Sequence, residues 1–168
     1  FDRVVRQDLA ARFADNPAVP SDLVVMLAND EISVAEPILR RSRVLQDEEL
    51  VAIIHHRTIE HQIAIARRRH VSERVSAALA ETANEDVIRI LLENEDATIS
   101  AATMAFLVEE SRRVDSYQEP LLHRHDLPVD LARRMYLWVS AALREYLVRQ
   151  YEIDPEALDE TLEMAAAE

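Results

Sequence analysis

A chain of 168 residues without a single glycine must end its helices and turn its corners by other means. Glycine enters left-handed backbone at no steric cost, which is why it usually closes helix C-termini and two-residue hairpins. Here Pro, Asn, Asp and Ser provide the punctuation: "DNPAVPSD" at 15–22, "ANDEIS" at 28–33, "SRVLQDEE" at 42–49, "RHVSE" at 69–73, "NEDATIS" at 94–100, "HDLPVD" at 125–130 and "EIDPEA" at 152–157. The same absence excludes the glycine-rich phosphate loops of P-loop and dinucleotide-binding proteins, whose backbone must approach phosphate without a Cβ in the way. No cofactor is expected.

Between these breaks apolar residues recur at helical spacing, and strand-like alternation with turn dipeptides is absent. The sequence predicts an all-α fold. Hydrophobic residues make up 49%, charged residues 30% and aromatics only 5%, the composition of a folded helical protein built on Ala, Leu, Val and Ile. The length suits one domain or one run of stacked repeats.

Asp47, Ser72 and Ser100 each precede an apolar periodic run and read as N-caps, while Pro128 and Pro155 read as first-turn prolines. Asp47, Ser72, Ser100 and Pro128 follow one another at intervals of 25, 28 and 28 residues, with an apolar residue before each: Leu45, Val71, Ile99 and Leu127. The intervening helices are "VAEPILRRS", "IEHQIAIARR", "VIRILLENE" and "YQEPLLHRH". Each unit is thus a helix, a short turn and a second helix, too short to stand alone in water, so it must bury its stripe on the next unit. The expected architecture is a short, HEAT-like α-solenoid of stacked helix pairs. From Pro128 to Arg149 a single apolar face (Leu131, Met135, Trp138, Val139, Ala142, Tyr146, Leu147) predicts one longer helix that closes the stack. Tyr136, Trp138 and Tyr146 lie in it, and they read first as a terminal core and second as an interface for a partner or a homodimer. The boundaries read as a helical-repeat domain over 1–151 and an acidic helix or tail over 152–168.

The net charge is −13, and the segment after Arg149 carries seven acids and no base. A balance of that sign argues against a nucleic-acid surface. No stretch approaches the roughly twenty apolar residues of a membrane span. Cysteine and lysine are both absent. That removes disulfides, zinc ribbons, thiol nucleophiles and Schiff-base chemistry, and a cytoplasmic location is expected. The start at Phe1 suggests an excised or trimmed chain.

Several spaced motifs carry a resemblance. "LANDEISVAEPILRRSRVLQDEEL", "IEHQIAIARRRHVSERVSAAL", "LLENEDATIS" and "HRHDLPVDLARRM", with "VSAALREYL" further on, resemble in order the alphaproteobacterial family known as domain of unknown function 2336, over about residues 7–149. The resemblance implies a helical bacterial protein and brings no activity, cofactor or catalytic residue. It sets Asp30, Pro37, Ser42, His61, Arg67, Asn94, Asp126 and Pro128 at motif positions. The chain departs from it in the glycine-free "ETANED" and "NEDA" turns.

Among individual side chains, His61 reads as a mid-helix histidine beside Glu60, either a phosphotransfer group or a packing residue that bonds a neighbouring unit. Its flanks Ile59, Ile63 and Ala66 favour packing. His55, His56 and His61 lack the three- or four-residue spacing of helical metal ligands, and His123 and His125, next to Asp126, flank a helix end where imidazolium suits the dipole. Ser72, Ser100 and Ser140 sit in no strained elbow. Arginines cluster at 40, 41 and 43, at 67–69, and at 112 and 113, each in or just past the last turn of a predicted helix. They offset helix dipoles there, and in stacked repeats Arg40, Arg67 and Arg68 can also share one anion-binding edge. The resulting expectation is a non-enzymatic module that binds a protein partner in bacterial signalling or regulation. The alternatives are a sensor or phosphotransfer domain using His61, and an enzyme with an unannounced pocket.

Overall fold

The computed structural model describes residues 2–154, 156 and 157. Pro155, expected as a first-turn proline, and most of the acidic helix or tail expected over 152–168 lie outside the described residues. Among those described the chain is all-helical, with no strand. It divides into two compact units at Thr103 and Met104, inside the span that the sequence reads as one body.

The first unit holds α1 (Arg3–Phe13), α2 (Ser21–Ala28), α3 (Ile32–Arg41), α4 (Asp47–His56), α5 (Ile59–Ala66), α6 (Glu73–Glu81), α7 (Glu85–Glu93) and the first turn of α8 (Ala101–Glu110). Helix α3 packs on α1 and α5, α5 packs on α7, and α4 packs on α6, so that two rows of alternate helices form, α1–α3–α5–α7 and α4–α6. None exceeds 11 residues, too short for stability alone, so the packing supplies it. The buried stripes are Val34, Ala35, Ile38 and Leu39 of α3, Leu50, Ile53 and Ile54 of α4, Ala64 and Ile65 of α5, Val75 and Leu79 of α6, and Val87, Ile88, Leu91 and Leu92 of α7.

Helix starts follow local chemistry. The hydroxyl of Ser72 accepts from the Val75 N–H at 3.2 Å, and that of Ser100 from Thr103 at 3.2 Å. The start of α4 differs from expectation: Gln46 is its N-cap, with the Gln46 N–H donating to the Glu49 carboxylate at 2.7 Å, and Asp47 is the first helical residue. Asp47, Glu48 and Glu49 then place three acids in the first turn, where the dipole favours them.

Helix ends show what replaces glycine. Among the described residues, the non-glycine residues His70, Ala83 and Glu152 take left-handed backbone, with φ of 57°, 53° and 51°. Elsewhere side chains add donors to carbonyls of the last turn. Asn29 donates to the Val25 carbonyl at 2.8 Å, and Thr82 to that of Leu79 at 2.7 Å. More distant residues do the same: Arg68, just past α5, donates to carbonyls at the end of α3, and Asn94, just past α7, donates to the carbonyls of Ala66 and Arg68 at 2.8 Å each.

The second unit contains the rest of α8, a 3-10 turn at Asp115–Tyr117, α9 (Gln118–Leu122), α10 (Val129–Met135) and α11 (Ala141–Gln150). Its core is built from Leu107, Val108, Tyr117, Leu121, Leu122, Ala132, Met135 and Leu147. The long closing helix expected over 128–149 is two helices. After α10 the N–H groups of Tyr136, Leu137 and Trp138 bond back only three residues, and Ser140 turns extended to cap α11 by accepting from Leu143 at 3.3 Å. The aromatic and β-branched run Tyr136–Val139 favours helix weakly, and the Ser140 hydroxyl offers the backbone a competing start. Pro128 stands at the N-cap of α10, one place before the first turn expected for it. Tyr151 repeats the capping device of the first unit, its hydroxyl donating to the Leu122 carbonyl at 3.1 Å.

Candidate anion-binding cleft

Helices α3 and α5 end on the same side of the first unit, and the chain leaves each through arginines. A cavity of about 310 Å³ lies there, lined by Asp15, Arg40, Arg41, Arg43, Arg67, Arg68, Arg69 and His70. The structure thus brings Arg40, Arg67 and Arg68 together as the spacing suggests. It adds Arg41, Arg43, Arg69 and His70, which the clustering already contained, and Asp15, which nothing in the sequence singles out. A neighbouring depression of about 340 Å³ shares Asp15, Arg41 and Arg43 and extends toward the end of α1 through Ala14, Asn16 and Pro17.

Arg68 differs from the others. It is 8% exposed, and its guanidinium donates to the Ile38 carbonyl at 3.4 Å, to the Leu39 carbonyl, and to the Ser42 carbonyl at 2.5 Å. The Ile38 carbonyl already accepts from the Ser42 N–H, whereas those of Leu39 and Ser42 take Arg68 as their donor, so this arginine caps the end of α3 and is committed to the fold. Its Nε is buried without a hydrogen-bond partner, and among the described residues no carboxylate pairs with it. Burial pushes its guanidinium down to about 10, with only the field of Asp47 opposing the shift. The charge is retained at neutral pH.

The remaining arginines are exposed. Arg40 pairs with Glu36 one turn back at 3.2 Å, and Arg41 with Asp15 at 3.7 Å. Among the described residues Arg43, Arg67 and Arg69 make neither an ion pair nor a side-chain hydrogen bond. Helix C-termini carry partial negative charge, and cations there are favourable without any ligand. The cleft nevertheless holds more guanidinium than the two helix ends and Asp15 balance.

His61 is not in this cleft. It lies in the first turn of α5, three residues after the Thr58 N-cap, and not mid-helix as its surroundings suggest. It is 3% exposed, and both ring nitrogens are engaged: Nε2 donates to the Asp30 carbonyl at 2.8 Å, and Nδ1 meets the Thr58 hydroxyl at 2.7 Å. A carbonyl only accepts, so Nε2 carries the proton. Asp30 is also held from α1, because Arg6 donates to its carboxylate at 2.8 Å. Burial alone would raise the Asp30 carboxyl, but the Arg6 and Glu31 hydrogen bonds hold it below its ordinary value.

In the second unit the aromatics have partners of their own. The Trp138 indole donates to the Ser111 hydroxyl at 3.0 Å and lies 5.0 Å beneath the Arg112 guanidinium. Tyr136 sits 4.9 Å from Arg144, and Tyr146 stacks on His123 with ring centroids 4.5 Å apart. All three are half-buried. Arg124 grips Asp126 through two hydrogen bonds of 2.8 and 2.9 Å. Burial would raise the Asp126 carboxyl, and Arg124 holds it below its ordinary value. Among the described residues no group of His, Asp and Glu is arranged to hold a metal.

The fold and cleft define an all-helical protein that collects guanidinium groups at helix C-termini. Over residues 34–168 the chain matches the family described as an uncharacterised protein conserved in bacteria, domain of unknown function 2336, and it belongs to that family. The match begins within α3, later than the resemblance read from the motifs, and extends further toward the C-terminus. No curated protein and no solved structure matches the chain.

Proposed function

We propose that this chain is a non-enzymatic, HEAT-like helical-repeat module that docks a protein partner in a bacterial signalling or regulatory pathway of the cytoplasm. One observation carries the reading: Arg43, Arg67 and Arg69 are exposed around one cavity and have no anionic partner among the described residues. Exposed guanidinium groups gathered on a concave surface suit the recognition of a partner's carboxylates or phosphates. The i-to-i+2 packing of α1, α3, α5 and α7 supports a short solenoid, whose edges suit such docking. Phosphotransfer through His61 has less support, because both of its ring nitrogens are bonded within a buried site.

The test is quantitative affinity capture from native extract, comparing the intact chain with Arg67→Ala/Arg69→Ala. Arg68 is left alone because it caps α3. A stoichiometric partner lost in the variant supports docking at the cleft. A partner retained by both moves the docking site elsewhere, and capture of nothing sinks the reading.

A further inference from the structure

We infer that the cleft at the ends of α3 and α5 receives a phosphoryl group presented by the docking partner, held by Arg43, Arg67 and Arg69. This rests on the docking reading and specifies its chemistry.

The charge count favours a multiply charged anion. Of the six arginines lining the cavity, Arg40 and Arg41 have carboxylates of their own, and Asp15 is the only acid among the lining residues. A single carboxylate would balance one of the remaining cations, whereas a phosphoryl group brings about −1.5 to −2 at neutral pH. The geometry of the donors agrees. Each of the six arginines lining the cleft presents a planar guanidinium, whose fork bonds phosphate oxygens two at a time. The backbone offers no rival mechanism: the helices that end here present C-termini, the wrong pole for an anion, so side chains must both offset that pole and bind.

Arg68 gives a second, independent sign. It lines the cleft as a buried cation that has carbonyl partners only and one Nε donor left unbonded. A buried charge without a counter-charge costs the fold, and an anion seated against it offsets that cost. The cavity, about 310 Å³, stands at the small end of the range of about 300–1,000 Å³ for ligand pockets, room for one anionic group and the side chain that carries it.

The test has two arms on the full chain. In the first, calorimetric titration compares inorganic pyrophosphate with citrate, a carboxylate of similar charge. Saturable pyrophosphate binding at least about tenfold tighter than citrate is expected, weakened by about tenfold or more in Arg67→Ala/Arg69→Ala while the thermal midpoint is kept. Equal affinity for citrate, no saturable pyrophosphate binding, or equal binding by the variant overturns the phosphoryl site. In the second arm the captured partner is treated with phosphatase. Release identifies a phosphorylated partner. Retention overturns the phosphoryl proposal and leaves docking intact. Tight pyrophosphate binding with no captured partner overturns the partner as the source and points to a free phosphate compound, a failure of the docking reading that the first arm tells apart.

Discussion

Nη2 of Arg68 donates to the carbonyl of Ser42 at 2.5 Å, so the second residue after α5 closes the end of α3. Two adjacent guanidinium nitrogens reach separate carbonyls, those of Leu39 and Ser42, which a single ammonium does not span. Arg68→Lys is therefore expected to destabilise the first unit, and Arg68→Ala by about 3 kcal/mol, since it strands buried acceptors and leaves a void. Chemical denaturation of the variants checks the order: Arg68→Ala below Arg68→Lys below the parent.

Asn94 performs the same service for α5, donating to the Ala66 and Arg68 carbonyls at 2.8 Å. Asn94→Ala should cost about 2 kcal/mol. Asn94→Asp should cost more, because a carboxylate cannot donate and would face two carbonyl oxygens. Equal midpoints for the two variants would contradict this account.

Because His61 is buried and bonded at both nitrogens, the folded protein should resist phosphorylation at this ring. Incubation with phosphoramidate, followed by mass mapping under alkaline conditions, is expected to label exposed His55 or His56 before His61. His61→Ala should lower stability by about 2 kcal/mol through the lost bond to Asp30. Labelling of His61 first would revive a phosphotransfer role.

Acid should weaken each unit through one carboxylate. Asp30 and Asp126 are both held below the ordinary value of 3.8, against the opposing effect of burial, by Arg6 and Arg124 respectively. A lowered folded pKa means stability that is fully present above the unfolded value and lost as pH falls through the folded one. Thermal midpoints should thus gain no dependence from these groups at neutral pH and should fall once the pH drops below 3.8. Asp126→Asn should flatten that acid limb, as circular dichroism melts across the range would show.

What could be read from the sequence divides along the distance each interaction spans. Ser72 and Ser100 were readable as caps because each accepts from an N–H three residues on. Thr58 carried the same signal, and the apolar run around His61 hid it, so the histidine looked mid-helix when it lies in the first turn. Ser140 likewise signals a start inside a continuous apolar face, and the face outweighed it. The arginine clusters announced the cleft, but Arg67, Arg68 and Arg69 look alike in sequence. Only the position of the α3 carbonyls, 26 to 30 residues away, decides which one is buried.

The closing of α3 by a residue just past α5, and of α5 by a residue just past α7, also limits how such a chain can change in length over generations. Duplicating one helix would leave an end open and aim the next closing side chain at the wrong row. Duplicating two, across the 26 to 30 residues that these bonds bridge, carries each end along with its closure, so a lineage built this way grows or shrinks in pairs.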